Sequence, residues 1–407
     1  MRQTICTTAA VGAALLALSL AKGPSYALEP HLDYLTPQRA VESRQISQTL
    51  EKRELPTAIV SLGDSFIAGN GGRWLGNSST LSGGRNGTDR AWNGYTRDGH
   101  VVYGTSYDNR CYRSDVAEIQ SVALHIDRKI NLACSAAKTE NLLSSKGGGS
   151  GFKGEPPQGD QLADIAKGAR VKMIVVSTGG NDLGFGWILA KCMSAYMATP
   201  ASHQIHCRKV AQRQVDEMMA ATKTRVSMVL KGIHRVMKDV GYSREEYRLV
   251  LQSAPSPFPR AREIRYPESG FDRVTMGGCP IWNSDADWAR DKFTPEFAKA
   301  LREVANAHKA DFLDLQDAFQ GREACSTSTS LVGPEGPSAT RNEWVRSAAV
   351  AQGDIEEIIH PNAYGQQALG QCLTLIYTRG PGEYECTNTL GQGPEGMGVR
   401  RLSQNVR

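Results

Sequence analysis

No block of like charge marks this chain. Its 47 basic and 42 acidic side chains are scattered over 407 residues and leave a net charge of +5. Zinc-finger spacing and a basic helix are missing too, which argues against nucleic acid as a partner. Long apolar runs are equally scarce. Residues 8–21 are dominated by Ala, Leu and Val, yet they fall short of the roughly 20 residues a spanning helix needs, and nothing further along comes close. Arg2 precedes that stretch and Ser25-Tyr26-Ala27 closes it with small residues where a signal peptidase reads. Residues 1–27 therefore read as a signal peptide of a secreted, extracellular protein with no stable membrane insertion.

What is present fits a globular enzyme-sized domain. Hydrophobic residues make up 40% and charged residues 22%, enough for a real core. Of nine cysteines, Cys6 lies in the leader and eight remain. An even number in an exported chain implies disulfides, although about a hundred connectivities are open to eight cysteines. Sequential pairing closes four modest loops: Cys111 to Cys134, Cys192 to Cys207, Cys279 to Cys325 and Cys372 to Cys386. The competing reading is a metal, since His203 and His206 stand beside Cys207. Zinc normally wants a second matched pair, and none lies nearby, so no metal is expected.

Five short apolar runs rich in β-branched residues read as strands: Thr57 to Leu62, Lys129 to Cys134, Val171 to Ser177, Tyr247 to Gln252 and Ala310 to Leu315. Each is continuous more than alternating, which suits strands covered on both faces. Helical patterns run from Ser114 to Ile126, Val210 to Val240, Pro295 to His308 and Ala363 to Tyr377. Alternating strands and helices predict an α/β fold, a three-layer α/β/α sandwich on a central five-stranded parallel sheet. Residues 28–56 read as an N-terminal extension, 57–380 as the catalytic-sized domain and 381–407 as a mobile, Gly-rich tail. Long irregular insertions cover 69–100, 144–160 and 326–342. Trp74, Trp92, Trp282, Trp288 and Trp344 lie largely in such segments and are expected to anchor them, because indoles bury large area.

Ligands of open parallel sheets bind at the carboxyl ends of the strands. Three motifs fall there: Gly63-Asp64-Ser65 after the first strand, Ser135-Ala136-Ala137 after the second, and Gly179-Gly180-Asn181-Asp182 after the third. Far downstream stands His360, three residues after Glu357 and just before Pro361-Asn362. Singly, each has a bland reading as a turn or helix cap. Together, a serine, a histidine and a carboxylate can form a nucleophile, a base and an orienting acid. His125, in a helical pattern, and His308, near a helix end, read as surface or packing residues.

These blocks resemble the SGNH (GDSL-type) hydrolase family, most closely its secreted, disulfide-bonded lipase and esterase branch of actinobacteria. The resemblance runs from about residue 57 to 378 and includes Gly63-Asp64-Ser65-Phe66, Asn131-Leu132-Ala133-Cys134-Ser135-Ala136-Ala137, Gly179 to Phe185, and Glu357 to Pro361. Gly-x-Ser-x-Gly, the elbow of the other large esterase fold, is absent around Ser65. The resemblance implies Ser65 as nucleophile, His360 as base, and an oxyanion hole from the backbone N–H groups of Ser65 and Ala136 with the Asn181 amide. Two positions depart from the family. Ala136 replaces the usual glycine, and Glu357 replaces the usual aspartate, so a backbone carbonyl or Asp354 is an alternative orienting group. Asp182 is expected to stabilise the turn that presents Asn181. The implied activity is hydrolysis of carboxylic esters, lipid or small-molecule esters on one reading and polysaccharide O-acetyl groups on another, by a monomer without cofactor. A non-catalytic binding protein on the same fold is the alternative from another class.

Overall fold

The computed structural model describes residues 54–79, 85–349 and 351–403. The signal-peptide reading of 1–27 and most of the extension, 28–53, lie outside the described residues. The described chain forms one sheet of seven strands: β1 (Thr57–Gly63), β2 (Arg128–Asn131), β3 (Arg170–Ser177), β4 (Arg248–Gln252), β5 (Asp311–Asp314), β6 (Glu383–Thr387) and β7 (Gly398–Arg401). Their spatial order is β2-β1-β3-β4-β5-β6-β7. Every neighbouring pair is parallel except β6 with β7.

Strand residues divide by parity between two faces, as a pleat requires. Val60, Leu62, Ile174, Val176, Leu249 and Leu251 enter one buried cluster, while Ile59, Met173, Val175, Val250 and Leu313 enter another. Residues on both faces are buried, which is why the runs look continuous in sequence. The first cluster is covered by α1 (Gln158–Gly168), α2 (Phe185–Ala198), α3 (Arg208–Asp239) and α4 (Thr294–Ala307). The second is covered by α5 (Ala363–Arg379) and by irregular segments carrying Phe319 and Trp344.

Three expectations need correction. Two strands join the expected five, both from the segment read as a tail. Tyr384 and Cys386 point inward on β6, Val399 does so on β7, and the Cys372–Cys386 disulfide fastens β6 to α5. Their alternation is too short to stand out among the surrounding glycines. The stretch Ser114–Ile126 is not a helix but a run of turns. Its Ser114 N–H is drawn to Ala68 O at 3.1 Å, and its Glu118 N–H to the Gln366 side chain at 2.8 Å, so tertiary partners replace the i→i−4 ladder. Helices α1 and α2 were not foreseen; α2 is apolar over most of its circumference and has no polar stripe to mark its period.

The topology locates the site. Because the chain steps outward in opposite directions from β1, to β2 on one side and β3 on the other, a crevice opens at their carboxyl ends. Ser65 follows β1 and Asn181 follows β3, one on each side of that switch point.

Candidate active site

The end of β1 is built for close approach. A Cβ on Gly63 would stand 2.0 Å from the Ser177 carbonyl oxygen, so no other residue fits between β1 and β3 there. Gln158, the first residue of α1, holds the same glycine from both sides: its Oε1 accepts from Gly63 N–H at 2.8 Å and its Nε2 donates to Gly63 O at 2.9 Å. The chain then turns into a one-turn helix, Ser65–Ala68, with Asp64 as N-cap accepting from Phe66 N–H. Burial pushes the Asp64 carboxyl up to about 7, and the Asp182 carboxylate adds to the rise.

His360 arrives from the far end of the chain. Asn362 caps α5 by accepting from the N–H groups of Tyr364 and Gly365, which fixes the chain two residues after the imidazole. His360 Nε2 lies 2.7 Å from Ser65 Oγ, and Nδ1 lies 2.8 Å from the Ile358 carbonyl oxygen. A carbonyl can only accept, so Nδ1 carries the proton and Nε2 is left as the acceptor for the serine hydroxyl. The Phe66 ring covers the imidazole at 4.9 Å between centroids. Burial holds the His360 pKa down to about 4, against a smaller opposing effect of the Ile358 carbonyl. At neutral pH the ring is uncharged and able to take a proton.

Glu357, expected to orient that ring, is turned away from it. Its carboxylate accepts from Trp74 Nε1 at 2.8 Å, from the Tyr103 hydroxyl at 2.9 Å and from Asp354 N–H at 3.1 Å. Arg73, 3.6 Å away, is itself paired in a fork with Asp89. Burial raises the Glu357 pKa, and Arg73 works against that rise. The acceptor for Nδ1 is instead the backbone carbonyl of Ile358, one of the alternatives left open above. Asp354 serves elsewhere, accepting from the Tyr112 hydroxyl at 3.2 Å. What aims Ile358 is the turn that follows. Ile359 has φ 59°, a left-handed conformation that costs a β-branched residue roughly 1–3 kcal/mol. Ile359 N–H donates to Arg346 O and Arg346 N–H to His360 O, both at 2.8 Å. The Arg346 guanidinium lies 3.7 Å from the Trp74 ring centroid, so one buried assembly of Arg346, Trp74 and Glu357 grips this turn.

The groups expected to form an oxyanion hole are the backbone N–H groups of Ser65 and Ala136 and the Asn181 amide. The backbone N–H groups of Ser65 and Ala136 take no protein acceptor among the described residues. Ala136 adopts φ 68°, the conformation for which glycine would be the unstrained choice. Its neighbour Cys134 is tied to Cys111, and Ser135 Oγ accepts from Asn70 Nδ2 at 2.8 Å, so the loop is held despite that strain. Asn181 Nδ2 donates one hydrogen to Ala137 O at 2.9 Å, which leaves its second hydrogen for the cleft it lines. Asp182 does not brace its own turn; it accepts from Thr139 N–H at 3.0 Å and Thr139 Oγ1 at 2.6 Å, joining the Asn181 loop to the Ala136 loop.

Ser65 opens onto an apolar cleft that is partly open to solvent. Phe185, Ile188 and Leu189 of α2 line it together with Phe258, Phe293 and Phe297, and Phe185 stacks on Phe293 at 6.0 Å between ring centroids. Phe293 stacks between Trp288 and Phe297, and Trp288 Nε1 is held by Gln212 Oε1 at 2.7 Å.

All four disulfides pair in sequence order, Cys111–Cys134, Cys192–Cys207, Cys279–Cys325 and Cys372–Cys386. Cys207 is therefore no free thiolate, and His206 Nδ1 instead faces Ser284 Oγ at 3.0 Å. Trp74, Trp282, Trp288 and Trp344 are buried anchors, whereas Trp92 is exposed. His125 is exposed, and His308 Nε2 contacts Ser227 Oγ at 2.6 Å; neither is near Ser65. Sequence reasoning missed Gln158 and offered a backbone carbonyl without saying which residue would supply it. A backbone acceptor leaves no trace in residue type, and Gln158 acts through a fit visible only in three dimensions.

The profile of the GDSL-like Lipase/Acylhydrolase family matches residues 61–368. No curated protein sequence is significantly similar to the chain. Among solved structures, an extracellular lipase from Streptomyces rimosus aligns at 18% identity over 78% of this chain and 98% of its own, with a TM-score of 0.46. A phospholipase A1 from Streptomyces albidoflavus aligns at 17% identity, 79% and 98% coverage and a TM-score of 0.45. A carbohydrate acetylesterase from Sinorhizobium meliloti aligns at 12% identity, 79% and 99% coverage and a TM-score of 0.36. The family match begins two residues before Gly63 and extends past His360, so the chain belongs to the GDSL-like lipase/acylhydrolase family and is a carboxylic ester hydrolase.

Proposed function

We propose that this protein is a secreted lipase or esterase that cleaves esters of extended apolar acyl chains through an acyl-serine intermediate. The observation that carries the reading is the 2.7 Å contact of Ser65 Oγ with His360 Nε2 at the wall of an apolar cleft. Ser65 Oγ attacks the ester carbonyl carbon while Nε2 takes its proton. The Ile358 carbonyl holds the imidazole in place and supports the imidazolium as it forms. The tetrahedral oxyanion is received by the N–H groups of Ser65 and Ala136 and by Asn181, each donor contributing about 3 kcal/mol to the transition state. Collapse breaks the bond to the alcohol oxygen, which leaves with the proton from His360. A water deprotonated by the same imidazole then attacks the acyl-enzyme and releases the acid. No step calls for a metal or an organic cofactor.

Cleft chemistry favours a hydrocarbon acyl group. Each buried methylene adds about 0.8 kcal/mol of binding, or roughly fourfold, and aromatic walls offer an acetyl group little to hold it. Four disulfides support an oxidising, extracellular location. The test is hydrolysis of p-nitrophenyl esters from acetyl to palmitoyl, with Ser65→Ala as control. kcat/KM should climb with chain length until the cleft is full. A steep preference for acetyl would replace this reading with polysaccharide deacetylation, and failure of a fluorophosphonate to label Ser65 in the folded protein would remove the catalytic reading altogether.

A further inference from the structure

Helix α2 has two faces. Its inner stripe, Phe185, Ile188, Leu189 and Cys192, lines the cleft. Its outer side meets solvent: Trp187 is 41% exposed and Met197 59%, and Lys191 lies between them with Nζ 5.6 Å from the Trp187 ring centroid. The Cys192–Cys207 bridge ties α2 to the start of α3, and the connecting loop leaves Ile205 61% exposed. Beyond it the first turns of α3 expose Lys209, Val210 and Arg213. A second loop is held against the end of α2 by the Tyr196 hydroxyl, which donates to Glu268 O at 3.1 Å. That loop carries Phe271, 79% exposed. Large apolar side chains standing singly on a surface need no explanation; a group of them around one helix and its neighbours does.

Charge on this rim is mostly positive, with Asp272 beside Phe271 as the exposed exception. From Leu183 to Val215 the sequence has Lys191, Arg208, Lys209 and Arg213 and no Asp or Glu, in a chain whose charges are otherwise nearly balanced. Two other nearby acids are engaged in backbone hydrogen bonds. Asp285 accepts from the N–H groups of Cys207 and Arg208, and Glu268 accepts from Asn283 N–H at 2.6 Å. Cations interleaved with Trp, Met, Ile and Phe match a bilayer boundary, where indole and hydrocarbon enter the headgroup layer and Lys or Arg meets anionic phosphate. A second copy of the same face is a poor match, since a two-fold contact would oppose like charges.

We infer that this rim is a docking surface for anionic phospholipid, seating the cleft at the lipid boundary. The inference rests on the ester-hydrolase reading only for its purpose, and its test is independent of turnover. The protein carrying Ser65→Ala is sedimented with vesicles of phosphatidylcholine alone and with vesicles containing phosphatidylglycerol. Binding to the anionic vesicles should be at least about tenfold stronger and should weaken with salt. The triple reversal Lys191→Glu, Lys209→Glu, Arg213→Glu should abolish that preference, and Trp187→Ala with Phe271→Ala should lower partitioning about tenfold. With Ser65 intact, both sets should hydrolyse p-nitrophenyl butyrate within about twofold of the parent, which certifies the fold. Equal binding to both vesicle types, or reversal variants that bind like the parent, overturns the inference. So does a dimer in light scattering that these substitutions dissociate, because the face would then join two copies. Absence of butyrate hydrolysis in the parent would instead count against the proposed activity, whatever the vesicles show.

Discussion

Two regions meet at Ser65 and His360, and they are made of opposite materials. Behind the imidazole, Arg73, Asp89, Arg346 and Glu357 are buried with Trp74 in a network of ions and indole. In front of the serine, Phe185, Phe258, Phe293 and Phe297 leave an open cleft of hydrocarbon. The first region is directional: its hydrogen bonds have fixed partners, so it can hold a turn as costly as that at Ile359. The second is non-directional and tolerant of shape, as suits a region that must admit and release ligand. Orientation and capacity are thus supplied by separate parts of the chain.

The largest test of this division strikes the point where the regions join. Ser65→Ala should lower kcat by about 10⁴-fold or more, with thermal unfolding unchanged. Asn181→Ala should reduce kcat by about 10²–10³-fold at nearly constant KM, since its donor acts on the developing oxyanion. The network behind His360 is sharpened by a pair of variants. Glu357→Ala leaves the Trp74 and Tyr103 donors and the nearby Arg73 short of a buried partner, and should destabilise the fold by about 3 kcal/mol in urea unfolding. Glu357→Gln should fold and retain kcat within about tenfold; a drop near 10⁴-fold would make Glu357 the orienting acid and dissolve the distinction drawn here. In the cleft, Phe293→Ala should raise KM about tenfold for octanoyl esters and little for acetyl esters, measured on the p-nitrophenyl series. The mildest effect is in pH. Because burial holds His360 down to about 4, kcat/KM should persist below the usual histidine range and fall only as protonation sets in near that value.

Legibility in the sequence followed the same line. Strands covered on both faces announce themselves as apolar runs, so β1, β3, β4 and β5 were found to within a residue or two. The placement of Ser65 and Asn181 was legible because each stands just after a strand at one edge of the sheet, and that of His360 because it stands just before the Asn362 cap of α5. The network behind His360 was not, because it is assembled from insertions with no period: Trp74, Tyr103 and Arg346 are far apart in sequence, with Trp74 and Tyr103 both donating to Glu357 and Arg346 lying over the Trp74 ring. That carboxylate was read by its spacing from His360, whereas its partners in space decide what it does. The ends of the sheet failed for a related reason. Tyr384, Cys386 and Val399 are too few to show alternation, and Ser114–Ile126 has a helical pattern whose backbone is claimed by Ala68 and Gln366.

Finally, 295 positions of sequence separate the two partners of the 2.7 Å contact. Order of synthesis follows from that distance. A chain leaving the ribosome presents its serine early and its imidazole only when nearly complete, and α5 must dock before the two can touch. Until then the nucleophile has no base and reacts as an ordinary hydroxyl. On the proposed mechanism, ester cleavage is therefore withheld from every copy that has not yet folded to α5, and the producing cell meets the activity only in molecules whose last long helix has docked.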